Sequence, residues 1–300
     1  MNRILLAHVA AAAAALCAGS AVVATRYVIG ETDPVTLVFL RYLVGFLCFV
    51  PILPFIWPRG GVPGSELAKI AMFGVLFFVL FPWGFNAALQ INPAARGAVG
   101  LATIPIQTMI VAVLFGREQL SVMRVTGVLL AFLGIAVAFG PAALAPGSGS
   151  LLYGDGLMLA GVFCAAVYSV FSRPTLTRHG PLFVTALGMA FAIAVLVPVL
   201  LVRDGTVLPD LSTRGWLAVL FLGSVSGMIQ FSLFMWALRW LPPTTTVLYL
   251  TLNPLTAMIL GVLLLGESVT AALLGGMALV LVGIYVGSGL LSGRRHRAEA

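Results

Sequence analysis

Residues 105–140 of this chain are written a second time at 254–289. The first copy reads PIQTMIVAVLFGREQLSVMRVTGVLLAFLGIAVAFG and the second PLTAMILGVLLLGESVTAALLGGMALVLVGIYVGSG. One offset of 149 positions carries Pro105 to Pro254, Glu118 to Glu267, Gly127 to Gly276, Gly134 to Gly283 and Gly140 to Gly289. It also links Gly74 with Gly223 and Pro93 with Pro242. Further back the offset is 147, linking Cys17 with Cys164, Arg26 with Arg173, Pro34 with Pro181 and Pro51 with Pro198. Matches among Leu, Val and Ala arise easily in an apolar chain; matched Pro, Glu, Arg and Cys do not. A repeat constrains a fold before any local pattern does. Residues 1–140 and 151–291 are therefore expected to be two copies of one unit, with 141–150 (PAALAPGSGS) as linker and 292–300 as a basic tail.

Only 8% of the residues are charged, against about 25% in soluble domains. Hydrophobic residues make up 61%, and the mean hydropathy is +1.13. So little charge does not cover a water-facing surface, so the chain is expected to be a polytopic membrane protein. Ten apolar runs approach the ~20 residues that a bilayer-spanning helix needs. They lie near 4–25, 34–57, 67–90, 94–115, 120–140, 151–172, 181–202, 214–239, 243–265 and 270–291. The first resembles a signal peptide, but residues 17–34 match 164–181 deep in the chain, so it is expected to be a retained helix.

The net charge of +7 is explained by the positive-inside bias rather than by nucleic acid. With the N-terminus inside, the inner segments hold Arg3, Arg59, Lys69, Arg117, Arg124, Arg173, Arg178, Arg239, Arg294, Arg295 and Arg297. The outer segments hold Arg26, Arg96, Arg203 and Arg214. Both termini are thus expected in the cytoplasm of a bacterial inner membrane. Five spans per copy is an odd number, so the second copy must enter from the opposite face. The expected fold is an all-α integral membrane protein, ten transmembrane helices arranged as two inverted five-helix repeats. Such repeats recur in secondary transporters, whose substrate site lies between the halves.

The opening of the second run, DPVTLVFLRYLVGF (33–46), resembles the second helix of EamA-type members of the drug/metabolite transporter superfamily. So do the two copies of Gly-(x)-Glu-x8-Gly-x6-Gly at 116–134 and 266–283. The resemblance covers the whole chain and, within the family, is strongest to the YddG-type amino-acid exporters. It implies a ten-helix metabolite exporter with a central cavity lined mainly by the third, fourth, eighth and ninth helices, plus the first and sixth.

Pro105 and Pro254 fall mid-span at matching positions. Each removes a backbone hydrogen bond and bends its helix, either lining a cavity that opens alternately or as an inherited packing kink. Polar groups in hydrocarbon are costly, so those within spans are expected to face inward. They are Thr103, Gln107, Thr251 and Asn253 near the prolines, Asn86 and Gln90 beside Trp83, Gln230 beside Trp236, Tyr168 with Ser169, and Tyr249. Some of them serve only to join helices. The aromatic groups offer ring faces to apolar or cationic cargo.

Arg41 is the one base clearly inside a span, and its repeat partner is Gly188. It admits two readings: it attracts a substrate carboxylate or holds an outer gate, or it snorkels to the interface. Asp155, Glu118 and Glu267 lie near span ends, and no acid sits at a span centre, which favours facilitated export or exchange over tight proton coupling. Gly127, Gly134, Gly276, Gly283 and Gly287 are spaced to let the fifth and tenth helices approach closely.

Enzyme classes find no support. There is no phosphate loop of the GxxxxGK[ST] type and no HExxH. GSVSG at 223–227 has Val225 where a nucleophile elbow needs serine. Cys17, Cys48 and Cys164 lie in apolar runs without metal spacing. No cofactor, metal or nucleic acid is expected. The partners are a small-molecule substrate and the lipid bilayer, and a monomer is favoured over a dimer. A membrane receptor or scaffold remains the rival reading, although it gives no reason for paired helix kinks.

Overall fold

The computed structural model describes residues 3–28, 30–91, 99–143, 151–204, 206–265 and 271–288. Among these residues every regular element is helical, as a lipid-embedded backbone requires when each segment must satisfy its own hydrogen bonds. In order they are α1 (Arg3–Val28), α2 (Pro34–Phe49), α3 (Leu53–Ile56), α4 (Gly64–Val75), α5 (Phe81–Ile91), α6 (Ile104–Leu114), α7 (Val122–Ala143) and α8 (Leu151–Phe171). There follow α9 (Arg173–His179), α10 (Pro181–Asp204), α11 (Thr213–Phe221), α12 (Gln230–Trp240), α13 (Pro243–Leu248), α14 (Leu252–Leu265) and α15 (Ala271–Gly287). Six continuous runs are long and apolar enough to cross a membrane: Arg3–Thr25, Pro34–Ile56, Gly64–Ala88, Leu152–Phe171, Pro181–Arg203 and Thr213–Trp240. Three shorter apolar helices cover Val99–Leu114, Val122–Ala138 and Leu274–Gly287.

Two of the long runs are not uniform α-helix. A π-helical turn at Leu76–Leu80 joins α4 to α5, and another at Leu222–Ile229 joins α11 to α12. The helices that follow them, 81–91 and 230–240, begin and end 149 positions apart. Two further breaks precede the matched prolines. A turn at 102–103 leads into α6, with Pro105 in its first turn. The 3-10 turn Tyr249–Thr251 leads into α14, with Pro254 in its first turn. The chain thus breaks just ahead of each proline, where its missing N–H would have no helical partner anyway.

Neighbours are exchanged between the halves. Helix α1 packs on α12 and α14, while α8 packs on α5 and α6. Helix α2 packs on the Leu222–Ile229 turn, while α10 packs on α4 and the Leu76–Leu80 turn. Helix α7 crosses α15 directly. That crossing is antiparallel, with Gly127 against Gly283 and Gly287, and Gly134 against Gly276 and Val280.

Polar residues tie the helix ends. At one end Asp33 caps α2, accepting from the Val35 amide at 2.9 Å and the Thr36 amide at 3.3 Å, and pairs with Arg203 at 2.8 Å. Beside it Glu31 accepts from the Ser212 amide and hydroxyl, both at 2.8 Å, and Ser212 caps α11. At the other end Glu66 pairs with Lys69 at 2.8 Å, His179 at 3.4 Å and Arg178 at 3.8 Å. Glu118, in the turn that Gly116 makes possible with φ 62°, pairs with Arg124 at 3.0 Å and accepts from the Thr244 amide at 2.9 Å.

Burial opposes ionisation of Asp33, but hydrogen bonds from the Thr36 hydroxyl, Arg203 and the two amides outweigh it and hold its carboxyl below the usual range. A lowered native pKa contributes stability above the unfolded value, about 4, and that contribution is lost as pH falls through the native value. Asp33 and Arg203 are 37% and 40% exposed, so the contribution is small, about 0.5 kcal/mol. Asp33→Asn is therefore expected to melt about 1 °C below wild type at pH 7, with the gap narrowing as pH falls below the unfolded carboxyl's range, read by thermal denaturation in detergent.

Candidate functional site

A cavity of about 500 Å³ lies between α2, the third run (64–91) and α10, within the size range of small-molecule sites. The Asp33–Arg203 pair stands at its helix-end side; Val38, Val79, Leu196, Trp83 and Asn86 form much of the wall. Trp83 is 49% exposed and lines this space. Of the predicted cavity residues, this space collects Trp83 and Asn86.

The hydrophobic core that includes Val38 and Val79 is rich in aromatic rings. Phe77 is the hub, at 4.4 Å from Tyr168 in a near-stacked pair and at 6.0 Å from Phe234, almost parallel. Phe231 and Phe78 meet it edge-on at 5.6 and 5.3 Å. Tyr42 adds its edge to Phe78 at 5.1 Å. The Tyr168 hydroxyl donates to Met235 Sδ at 2.8 Å. Rings from α2, the Leu76–Leu80 turn, α8 and α12 therefore meet in one cluster. Both Phe77 and Phe78 sit on a π turn, a feature that recurs at functional sites because its hydrogen-bond ladder is locally mismatched.

Arg41 points into the edge of this cluster. Its Nη2 donates to the Ser226 carbonyl at 3.2 Å, to the Ser226 hydroxyl and to Gln230 Oε1 at 3.4 Å. The Ser226 hydroxyl in turn donates to Gln230 Oε1 at 2.5 Å. The guanidinium carbon lies 5.5 Å from the Phe231 ring centre and 5.9 Å from that of Tyr42. The side chain thus reaches across to the second π turn instead of snorkelling. Gly45, Gly223 and Gly227 let the backbones close: a Cβ on Gly45 would lie 3.3 Å from Gly227 Cα, and one on Gly223 only 2.3 Å from Val44 Cβ. Ser226 was missed by sequence reasoning. Its signal was the Gly223-x-x-x-Gly227 spacing that frames it, a helix-approach pattern.

The other predicted residues scatter. Gln107 Nε2 donates to Thr103 Oγ1 at 3.3 Å, and Thr103 donates to the Gly100 carbonyl at 2.6 Å. Ser169 and Thr251 donate to carbonyls of their own segments, Ala165 and Leu248. Tyr249 meets His8 Nδ1 at 3.0 Å, both buried. Among the described residues, Asn253 Oδ1 is buried without a hydrogen-bond partner. Trp236 lines a second space of about 290 Å³ with Ile56, His179 and Phe183. The side chain of Gln90, residue Glu267 and the tail 292–300 lie outside the described residues, as does most of the linker, 144–150.

A model of the EamA-like transporter family matches residues 5–140 and again residues 152–288. The chain belongs to that family. Similar proteins include an uncharacterized transporter of Archaeoglobus fulgidus, 25% identical over 268 residues, 89% of this chain and 93% of that one. The uncharacterized transporter YyaM of Bacillus subtilis is 22% identical over 272 residues, 89% of this chain and 88% of that one. The uncharacterized inner membrane transporter YedA of Escherichia coli K12 is 27% identical over 255 residues, 84% and 80% of the two chains. A solved crystal structure superposes with a TM-score of 0.78 at 21% identity, over 96% of this chain and 98% of that one, which shows the fold. An EamA-like chain with several apolar helices of spanning length is a multi-pass membrane protein whose family and relatives carry transporter names.

Proposed function

We propose that this EamA-like chain is a secondary transporter that exports small amphipathic metabolites, amino acids with aromatic or other large neutral side chains, by alternating access. It works as a monomer of ten spans, two inverted five-helix repeats at 1–140 and 151–291, with both termini in the cytoplasm. The observation that carries the reading is the ~500 Å³ cavity with Trp83 on its wall, together with a ring cluster mounted on a π turn that has a second π turn, Leu222–Ile229, overlapping the matching position in the second half. The exchanged neighbours of the two halves support the inversion. So do the end ties. Glu31 holds the start of α11, and Arg178, 147 positions later, reaches Glu66 at the start of α4. The tying residue is an acid at one end and a base at the other, and the base falls on the face that the Lys/Arg bias assigns to the cytoplasm. In this reading the Glu66 end is cytoplasmic, and Pro105 and Pro254 mark where the fourth and ninth spans bend during exchange.

The test is counterflow of radiolabelled amino acids in proteoliposomes. Counterflow restricted to large neutral side chains is the expected result. Its absence across an amino-acid panel would reject the reading and favour a receptor or scaffold. Trp83→Ala is expected to shift the aromatic-to-aliphatic rate ratio about two- to tenfold, since an aromatic pair is worth about 0.5–1.5 kcal/mol beyond its buried area. Phe55→Ala, at an 87% exposed position, is expected to leave that ratio unchanged.

A further inference from the structure

We infer that the second space, at the His179 end, is the cytoplasmic half-site of the transport route. It is the repeat image of the ~500 Å³ cavity, held shallow here by Trp236, and it opens toward Ser232 to take the same small amphipathic cargo. The inference rests on the inverted-repeat reading above and names the residues through which the opposite state opens.

The two spaces have matching walls. An offset of 147 carries Asp33, Pro34 and Val35 of the first to Gly180, Pro181 and Leu182 of the second, and Ile56 of the second to Arg203 of the first. An offset of 149 carries Ala87 to Trp236. Five of the seven residues around the second space are thus counterparts of residues around the first. The two stand at opposite ends of the protein. Asp33 and Arg203 pair at one end, while His179, beside Gly180, meets Glu66 at the other. Unrelated dents would have no reason to fall on repeat-related positions; the two faces of one duplicated route do.

The walls match, but the sizes differ, about 500 Å³ against about 290 Å³. The first space also takes in Val38, Leu196, Asn86 and Trp83. The counterparts of the first three, Thr185, Phe49 and Met235, are packed away, each 0% exposed, and Met235 Sδ accepts from the Tyr168 hydroxyl. The counterpart of Trp83 is Ser232, whose Oγ is buried and, among the described residues, without a hydrogen-bond partner. A buried hydroxyl in that condition is costly, and water or a polar group of the cargo relieves it once the space deepens. Trp236 stands where the first copy has Ala87, so an indole takes room that a methyl group leaves open. Phe183, met edge-on by Trp57 at 5.2 Å, lines the same space. Matching walls of unequal depth are what a duplicated protein shows when one face is open and the other shut. Exchanging the two depths gives the other state.

The test is thiol labelling of the full-length protein, with Cys17, Cys48 and Cys164 changed to alanine and Asn86→Cys or Ser232→Cys added. A membrane-impermeant maleimide is applied to spheroplasts of an expression host, which present the outer face, or to inside-out vesicles, which present the cytoplasmic one. Asn86→Cys is expected to label from outside and Ser232→Cys from the cytoplasmic side. Trp236 now meets Trp240 at 6.4 Å. Trp236→Ala is expected to speed labelling of Ser232→Cys roughly two- to tenfold, the effect of losing an aromatic contact, and to leave Asn86→Cys no faster. Trp236→Phe keeps a ring, serves as the folded check and is expected to fall between. With both thiols present, prior modification of the outer one wedges that face open and is expected to slow labelling of the inner one by at least about fivefold. Faster labelling at both sites in Trp236→Ala, or inner labelling indifferent to the outer modification, overturns the inference and leaves the inverted arrangement standing. Labelling of both thiols from one face overturns the inverted reading along with it. Reciprocal labelling without amino-acid counterflow would sink the amino-acid reading and leave this half-site in place.

Discussion

Gly127→Leu is expected to leave little folded protein, whereas Gly275→Leu is expected to express and melt like wild type. A Cβ on Gly127 would stand 2.3 Å from Gly287 Cα and 2.6 Å from the Gly283 carbonyl. Both obstacles are backbone, so no rotamer relieves them. The reciprocal position, Gly276, meets the Gly134 carbonyl at 2.5 Å, so pushing α7 off α15 opens the crossing at both ends. Overpacking a core costs about 1–3 kcal/mol when side chains can give way. Here whole helices must separate, and association between helices in lipid depends on close van der Waals packing. A loss above about 3 kcal/mol is expected, a large share of a typical ~5–15 kcal/mol stability. Gly275 has nothing within 4 Å of its would-be Cβ, and leucine is the better helix former by roughly 0.8 kcal/mol. Fluorescence-detected size exclusion and thermal melts of the two variants decide the matter. Melting temperatures within a degree of each other would show that the seam does not hold the fold together.

Phe77→Ala is expected to cost about 3–5 kcal/mol, the usual range for deleting a buried phenylalanine. Phe77 is 4% exposed and touches rings from three other segments: Tyr168 in α8, Phe231 and Phe234 in α12, and Phe81 in α5. The truncation leaves a void where lipid does not reach. Phe77→Leu separates packing from ring chemistry. It keeps most of the volume and forfeits the ring pairs, worth about 0.5–1.5 kcal/mol each. If parting of the ring cluster limits exchange, Phe77→Leu is expected to fold and to exchange cargo roughly fivefold faster, matching about 1 kcal/mol off the barrier. A folded Phe77→Leu protein with unchanged or slower counterflow would show that the cluster is packing and not a gate.

These two predictions draw on different kinds of information. The glycine seam was legible in the sequence: the repeat placed Gly127, Gly134, Gly276 and Gly283 at matching positions, and small residues at helical spacing have one main use in lipid. The paired breaks ahead of Pro105 and Pro254 were legible for the same reason, because proline acts on its own backbone. The ring cluster was not. Nineteen phenylalanines in helices that are apolar all round carry no mark of which face is inward. The π turns were hidden too, since LFFVL at 76–80 has the composition of any other stretch of span.

The linear order of residues determined the membrane environment, the glycine seam and the breakpoints, because each depends on composition or on residues that recur at a fixed spacing. Only the tertiary structure decided that Trp83 and Trp236 line separate spaces, that Tyr168 closes a ring cluster, and that Arg41 turns across to Ser226, 185 positions away. In hydrocarbon a polar side chain must find a partner. Which partner it finds depends on how helices meet, and a uniformly apolar helix does not write that in its own sequence.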